Sequence, residues 1–261
     1  MNDIFFTILA SSSDGNCAYL RANGLNMLID AGISFSRIQN ALAAYGVGME
    51  NIDAVFITHD HADHCKALDT LSKKCPTRVF ASDVAYDFIT YKHPSTKNLK
   101  WGVFTGGRSF SFEGMKISTC LVPHDASETV AYKISAGEKT ISWITDIGSP
   151  TEKAVEFAQS SNVLVLESNY CPKMLENSGR PLKLINRISK GHGHLSNAKA
   201  IEVLKTLDLS ITERVFLAHI SRQCNSVSHI AELLSPLPKS LVERIEIVDP
   251  FSCSKRPYIY K

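Results

Sequence analysis

The sequence predicts a single α/β domain spanning residues 1–261, with sheets packed between helices. Three observations carry that expectation. Short runs rich in Val, Ile, Phe and Tyr alternate with helical stretches along the whole chain. The length suffices to bury a sizeable core, with an ordinary apolar fraction of 44% and charged fraction of 21%. Several apolar runs end on a lone ionisable residue, the place where open α/β sheets build their sites.

Taken in order, strands are expected at Ile4–Leu9, Cys17–Arg21, Asn26–Asp30, Ala54–Thr58, Arg78–Ala81, Met115–Val122, Thr129–Ser135, Thr140–Thr145, Val163–Glu167, Arg214–Ala218 and Arg244–Val248. Gly137-Glu138 reads as a hairpin turn, because glycine tolerates positive φ. Helices are expected at 34–45, 64–73, 82–91, 150–160, 181–190, 196–208 and 226–234. The first places Ile38, Leu42 and Tyr45 on one stripe, and the sixth has Ser196 as N-cap with Ile201, Leu204 and Leu207 toward a core. No repeat, low-complexity tract or linker interrupts the pattern.

The net charge of +2 creates no global field for a nucleic acid or membrane, so such a partner must be met by a local patch. The run Ile4–Ala10 lacks a basic flank and is too brief to span a bilayer, so it reads as the first strand. Seven scattered cysteines form no disulfide framework and read as reduced thiols in a cytoplasmic protein.

The chemistry concentrates in Thr58-His59-Asp60-His61-Ala62-Asp63-His64, directly after the apolar run Asp53–Ile57. Three imidazoles and two carboxylates at a buried strand end repel or cost desolvation unless a cation holds them. His59 and His61 leave the strand two residues apart and can serve one ion. Asp63 and His64 open the next helix and can serve a second. Histidines and carboxylates without a thiolate trio suit zinc, manganese or iron at a site open to water. His124, Asp146 and His219 each follow an apolar run and are the further ligand candidates.

With these residues in place the chain resembles the metallo-β-lactamase superfamily, whose αββα sandwich sets two mixed sheets between helices. The motifs are Leu28-Ile29-Asp30-Ala31-Gly32, the histidine run, His124, Thr145-Asp146 and Leu217-Ala218-His219. The resemblance implies two metal ions, one held by His59, His61 and His124, the other by Asp63, His64 and His219, with Asp146 bridging.

Two stretches bear on the reaction. The strand Val163–Glu167 ends on a carboxylate not needed as a ligand, and His194 lies beside the N-terminus of the helix capped by Ser196. An imidazole oriented by a carboxylate near a metal-held phosphate can protonate the departing oxygen. These stretches resemble the phosphodiesterase branch. Ser11–Cys17, Glu167-Ser168-Asn169, Met174-Leu175, Gly193–Asn197 and His219-Ile220-Ser221 resemble, more specifically, the WalJ/YycJ-type bacterial DNA exonucleases. Cys171 stands where that group would have a polar residue, and the role of His192 stays open.

The expected activity is therefore phosphodiester hydrolysis by a metal-bridged hydroxide positioned by Asp63, with Glu167 orienting His194 as the acid. Asn16, Lys183, Arg187, Ser196 and Arg222 are the expected substrate-binding residues, with Arg180 and Lys199 as further cations. Lys183, Arg187 and Lys190 form a basic stripe on a helix whose other face carries Leu182, Ile185 and Ile188. The expected partner is nucleic acid, with DNA as the substrate. Two other readings stay open: a hydrolase of a small ester, thioester or lactone, and a diiron redox or metal-stabilised binding protein. Phe5, Phe6, Phe80, Phe88 and Phe157 read as core aromatics.

Overall fold

The computed structural model describes residues 3–261; the first two residues of the expected domain lie outside the described residues. Two seven-stranded sheets face each other, and each divides into an antiparallel half and a parallel half. The first sheet runs in the order β14(Tyr258–Tyr260), β1(Ile4–Ser12), β2(Gly15–Ala22), β3(Leu25–Ile29), β4(Ala54–Phe56), β5(Arg78–Ser82) and β6(Lys100–Phe104). The second runs β13(Ile245–Ile247), β12(Arg214–Ala218), β11(Val163–Glu167), β10(Lys139–Ile144), β9(Val130–Ala136), β8(Met115–Leu121) and β7(Ser109–Phe112).

The two-residue period of each strand sorts its side chains between layers. Phe6, Ile8, Met27, Ile29 and Phe56 point between the sheets, where they meet Tyr132, Trp143, Val165 and Phe216. Their neighbours Leu9, Leu28, Val55 and Ile57 point outward to α1(Phe35–Ala43), α3(Leu68–Lys74) and α4(Asp83–Lys92). On the other side Leu164, Leu166, Val215 and Leu217 meet α5(Glu152–Ala158), α8(Asn197–Thr206) and α9(Val227–Leu234). Helix, sheet, sheet and helix therefore stack as expected, and strands buried on both faces read as unbroken apolar runs.

Some elements differ from the sequence reading. The expected helix 64–73 is two pieces, α2(Ala62–Cys65) and α3. The backbone between them is tied to the loop after β3, since Ala31 N–H donates to His64 O and Ala67 N–H donates to Ala31 O. Strands β6, β7 and β14 and helices α6(Pro172–Glu176) and α10(Lys239–Val242) lie outside the expected set. All three strands are short and run at or beside a sheet edge, where the burial that makes strands legible is thin. Phe88 is not core: it is 47% exposed, beneath the Lys92 ammonium. In α7(Leu182–Ser189), Ile185 and Ile188 pack inward, but Leu182 is 72% exposed because the helix end projects past its support.

Candidate metal centre and active site

The strand ends converge on one edge of the sandwich. Asp30 follows β3, His59 and His61 follow β4, Asp146 follows β10 and His219 follows β12. Asp30, Asp146 and His219 have φ of 60, 56 and 57°, the left-handed region that non-glycine residues seldom enter. Each backbone reverses there and aims its side chain across the end of the sheets. Such conformations persist only where the surroundings impose them.

His59, His61 and His124 form one cluster, and Asp63, His64 and His219 form the next. Asp146 lies between them, with one oxygen 3.6 Å from His124 Nε2 and 3.5 Å from His219 Nε2, and the other 3.3 Å from His64 Nε2. His61 Nδ1 and His124 Nε2 face each other at 3.3 Å. His59 Nε2, His219 Nε2 and Asp146 Oδ2 are buried without a protein hydrogen-bond partner. Buried polar atoms are rarely left unpaired, and lone pairs aimed at a shared point fit divalent cations.

In four of the five cluster histidines the opposite nitrogen is held. His64 Nδ1–H donates to Asp30 Oδ2 at 2.8 Å, and His59 Nδ1–H to Thr58 Oγ1 at 3.0 Å. His124 Nδ1–H donates to Gly193 O at 2.9 Å, and His219 Nδ1–H to Glu167 Oε1 at 3.0 Å. Asp30 also accepts from Thr58 N–H and Oγ1–H. These partners fix tautomer and ring orientation.

Burial alone would depress both His64 and His219. In His64 the attraction of Asp30, Asp146 and Asp63 wins and raises it well above an ordinary imidazole. In His219 the same contest, led by Asp146, pushes it up to about 10. His59 is lowered instead, by burial and by the neighbouring His64, His124 and His61. Burial opposes ionisation of Asp63 and Glu167, yet His64 and His219 hold the first, and His194 and His219 the second, below the usual carboxylate range.

Close packing completes the geometry. A Cβ on Gly32 would lie 1.5 Å from Asp63 O, so only glycine lets the loop after β3 pass beneath the ligand helix. A Cβ on Gly193 would lie 2.1 Å from Ile188 O, so glycine there seats α7 against the loop that orients His124.

The sequence profile of the β-lactamase superfamily domain matches residues 25–220. The chain belongs to the metallo-β-lactamase superfamily. It is similar to exodeoxyribonuclease WalJ of Streptococcus pneumoniae, 27% identical over 87% of this chain and 85% of the relative. It is likewise similar to exodeoxyribonuclease YycJ of Bacillus anthracis, 25% identical over 88% and 87%. Among solved structures, the metallo-β-lactamase fold protein YhfI of Bacillus subtilis covers 100% of both chains at a TM-score of 0.73 and 15% identity.

In this metallo-β-lactamase hydrolase the pocket has a volume of about 250 Å³ and is lined by His61, Asp63, His124, Asp146, His194 and His219, with Arg180, Leu184, Arg187 and Ile188 as the facing wall. His194 Nδ1 lies 2.8 Å from Glu167 Oε1, whose other oxygen accepts from Ile147 and Leu195 N–H. Of the five expected substrate-binding residues Arg187 lines the pocket, and so does Arg180, one of the two further cations.

The other four lie off the pocket lining. Asn16 is fully buried beneath the centre and donates to Ser12 O, with Asp63 Oδ2 and His64 Nε2 at 3.4 and 3.1 Å, so it orients ligand candidates. Ser196 accepts from Lys199 N–H as the cap of α8. Arg222 pairs with Asp14, donates to Pro250 O and stacks on Phe251. Lys183, on α7, and His192, in the turn after that helix, are exposed and off the pocket. Sequence reasoning missed Asp125, Thr58 and Asp30 as site residues. Asp30 alone carried a signal, being an acid at an apolar strand end like Asp146.

Proposed function

We propose that the protein is a dinuclear metal-dependent phosphodiesterase, a nuclease acting at DNA ends. His59, His61 and His124 would hold one divalent ion, Asp63, His64 and His219 the other, and Asp146 both. Zinc and manganese suit this nitrogen and oxygen donor set. Such ions polarise a phosphoryl oxygen and activate water.

One observation carries the reading beyond the superfamily. His194 faces the cluster while Glu167 holds its Nδ1, which leaves Nε2 to meet the leaving oxygen. A phosphodiester needs an acid there, because a poor alkoxide leaving group departs only when protonated. Glu167 binds His194 and His219 through the same oxygen, so the acid and the ligand set share one anchor. Asp63 orients the nucleophile's side of the site. The names of the two exodeoxyribonuclease relatives, which match most of the chain, agree with this substrate class.

The test is digestion of end-labelled duplex DNA, single-stranded DNA and RNA with zinc or manganese, beside His194→Ala. Stepwise shortening is expected for the wild type, with turnover reduced about 100-fold or more in the variant and metal content unchanged. Intact polymers in every metal, with a metal-loaded wild type, would replace this reading by hydrolysis of a small ester, thioester or lactone.

A further inference from the structure

Beside the metal-ligand cluster the pocket contains an ion pair that the chemistry above leaves unused. Asp125 directly follows His124, and its Oδ1 lies 3.5 Å from His124 Nε2 and 3.9 Å from His61 Nε2. Its Oδ2 accepts from Arg187 Nε. Both residues line the pocket. The Arg187 side chain is 60% exposed at the mouth, on a helix with no fully buried residue. That helix rests on a small cluster of Tyr170, Leu175 and Cys224 through Ile185 and Ile188.

We propose that Asp125 is a latch and Arg187 a displaceable clamp for the phosphate next to the scissile one, on a single strand whose base lies against Leu184 and Ile188. The inference rests on the phosphodiesterase reading. The scissile phosphate must reach the buried ligand cluster, and the paired guanidinium stands one carboxylate away from it. Its reach therefore suits the neighbouring phosphate. A planar guanidinium binds phosphate and carboxylate by the same forked geometry, so one anion exchanges for the other. Leu184 and Ile188 lie on the same wall and give an apolar strip that a base can cover.

Asp125 does two things in this arrangement. It holds Arg187 in place when the pocket lacks substrate, and it puts a negative charge beside His61 and His124. An anion that does not engage Arg187 meets that charge unrelieved. The pair therefore selects for chains carrying a second phosphate over esters with one.

The experiment uses zinc-loaded protein in the His194→Ala background, which spares the probe. Fluorescence anisotropy follows a labelled thymidine trinucleotide, and the same probe with either phosphate replaced by a neutral methylphosphonate. Arg187→Ala should weaken the charged probe about tenfold and abolish the difference between it and the probe neutral at the phosphate next to the scissile one. Its salt slope should fall by about one. Arg187→Lys should restore the slope and only part of the affinity, since a point charge lacks the fork. Asp125→Asn should tighten the charged probe severalfold.

Equal effects of Arg187→Ala on charged and neutral probes would overturn the clamp, and weaker binding in Asp125→Asn would overturn the latch. If the wild type cuts DNA and these differences are absent, this inference fails alone. If the parent protein neither binds the probes nor cuts polymers, both readings fall.

Discussion

His64 and His219 each hold a proton that a divalent cation must displace. Metal loading should therefore release about two protons near neutral pH, read by calorimetry in buffers of different ionisation enthalpy. Release near zero would show that the cluster is not the metal site. The sign of the linkage follows from the raised values. Protonated His219 stabilises the metal-free fold fully below the ordinary imidazole value of 6.5, and that stability is lost as pH rises toward about 10. Metal-free protein should accordingly melt at lower temperature at pH 9 than at pH 6.5, and the metal-loaded form should lack this fall.

Asp30 belongs to the same scale. Its carboxylate is fully buried and ties His64 to Thr58, so it orients a ligand without touching the pocket. Asp30→Asn should weaken the second ion about 10- to 100-fold while sparing the first, as metal content against free zinc would show. Equal loss of both ions would mean that Asp30 supports the fold and not one ligand.

At the scale of elements, the site depends on how loops pass one another. The loop after β3 lies against the carbonyl of Asp63, and Gly32 is the residue that permits it. Gly32→Ala should destabilise the protein by about 3 kcal/mol or more in denaturant unfolding and lower metal content with it. A stable variant with full metal would show that the loop has room to move. The same contact explains why the expected helix 64–73 is broken: Ala31 bonds to both His64 and Ala67 across the gap. Helical periodicity continued through this stretch, and nothing local announced Ala31, distant in the chain, as the partner. Edge strands β6, β7 and β14 escaped sequence reading for a related reason, since their pairing partners supply what their own pattern lacks.

The whole molecule is organised by the layer between the sheets. Trp143 is fully buried there and meets Phe6 edge-on, with ring centroids 6.5 Å apart. Trp143→Ala should cost about 3–5 kcal/mol, seen as a lower denaturant midpoint at unchanged slope. A loss below about 1 kcal/mol would mean that the sheets collapse to refill the space. The strands flanking this layer, β10 and β12, also deliver Asp146 and His219, so a looser core should loosen the centre.

The sequence by itself determined the layered α/β architecture, the superfamily and the set of candidate ligands. Unbroken apolar runs mark strands buried on both faces, and ionisable residues at their ends are too costly to place there without a cation. The tertiary structure alone decided which polar residues face the pocket. Asn16 and Ser196 stand in motifs that look functional, yet one underlies the ligands and the other caps a helix. Asp125 looks incidental in the sequence and is joined to Arg187 across 62 residues. The physical reason is that a hydrogen bond or ion pair depends on approach in space, and a side chain's partner across the fold leaves no trace in its own neighbourhood.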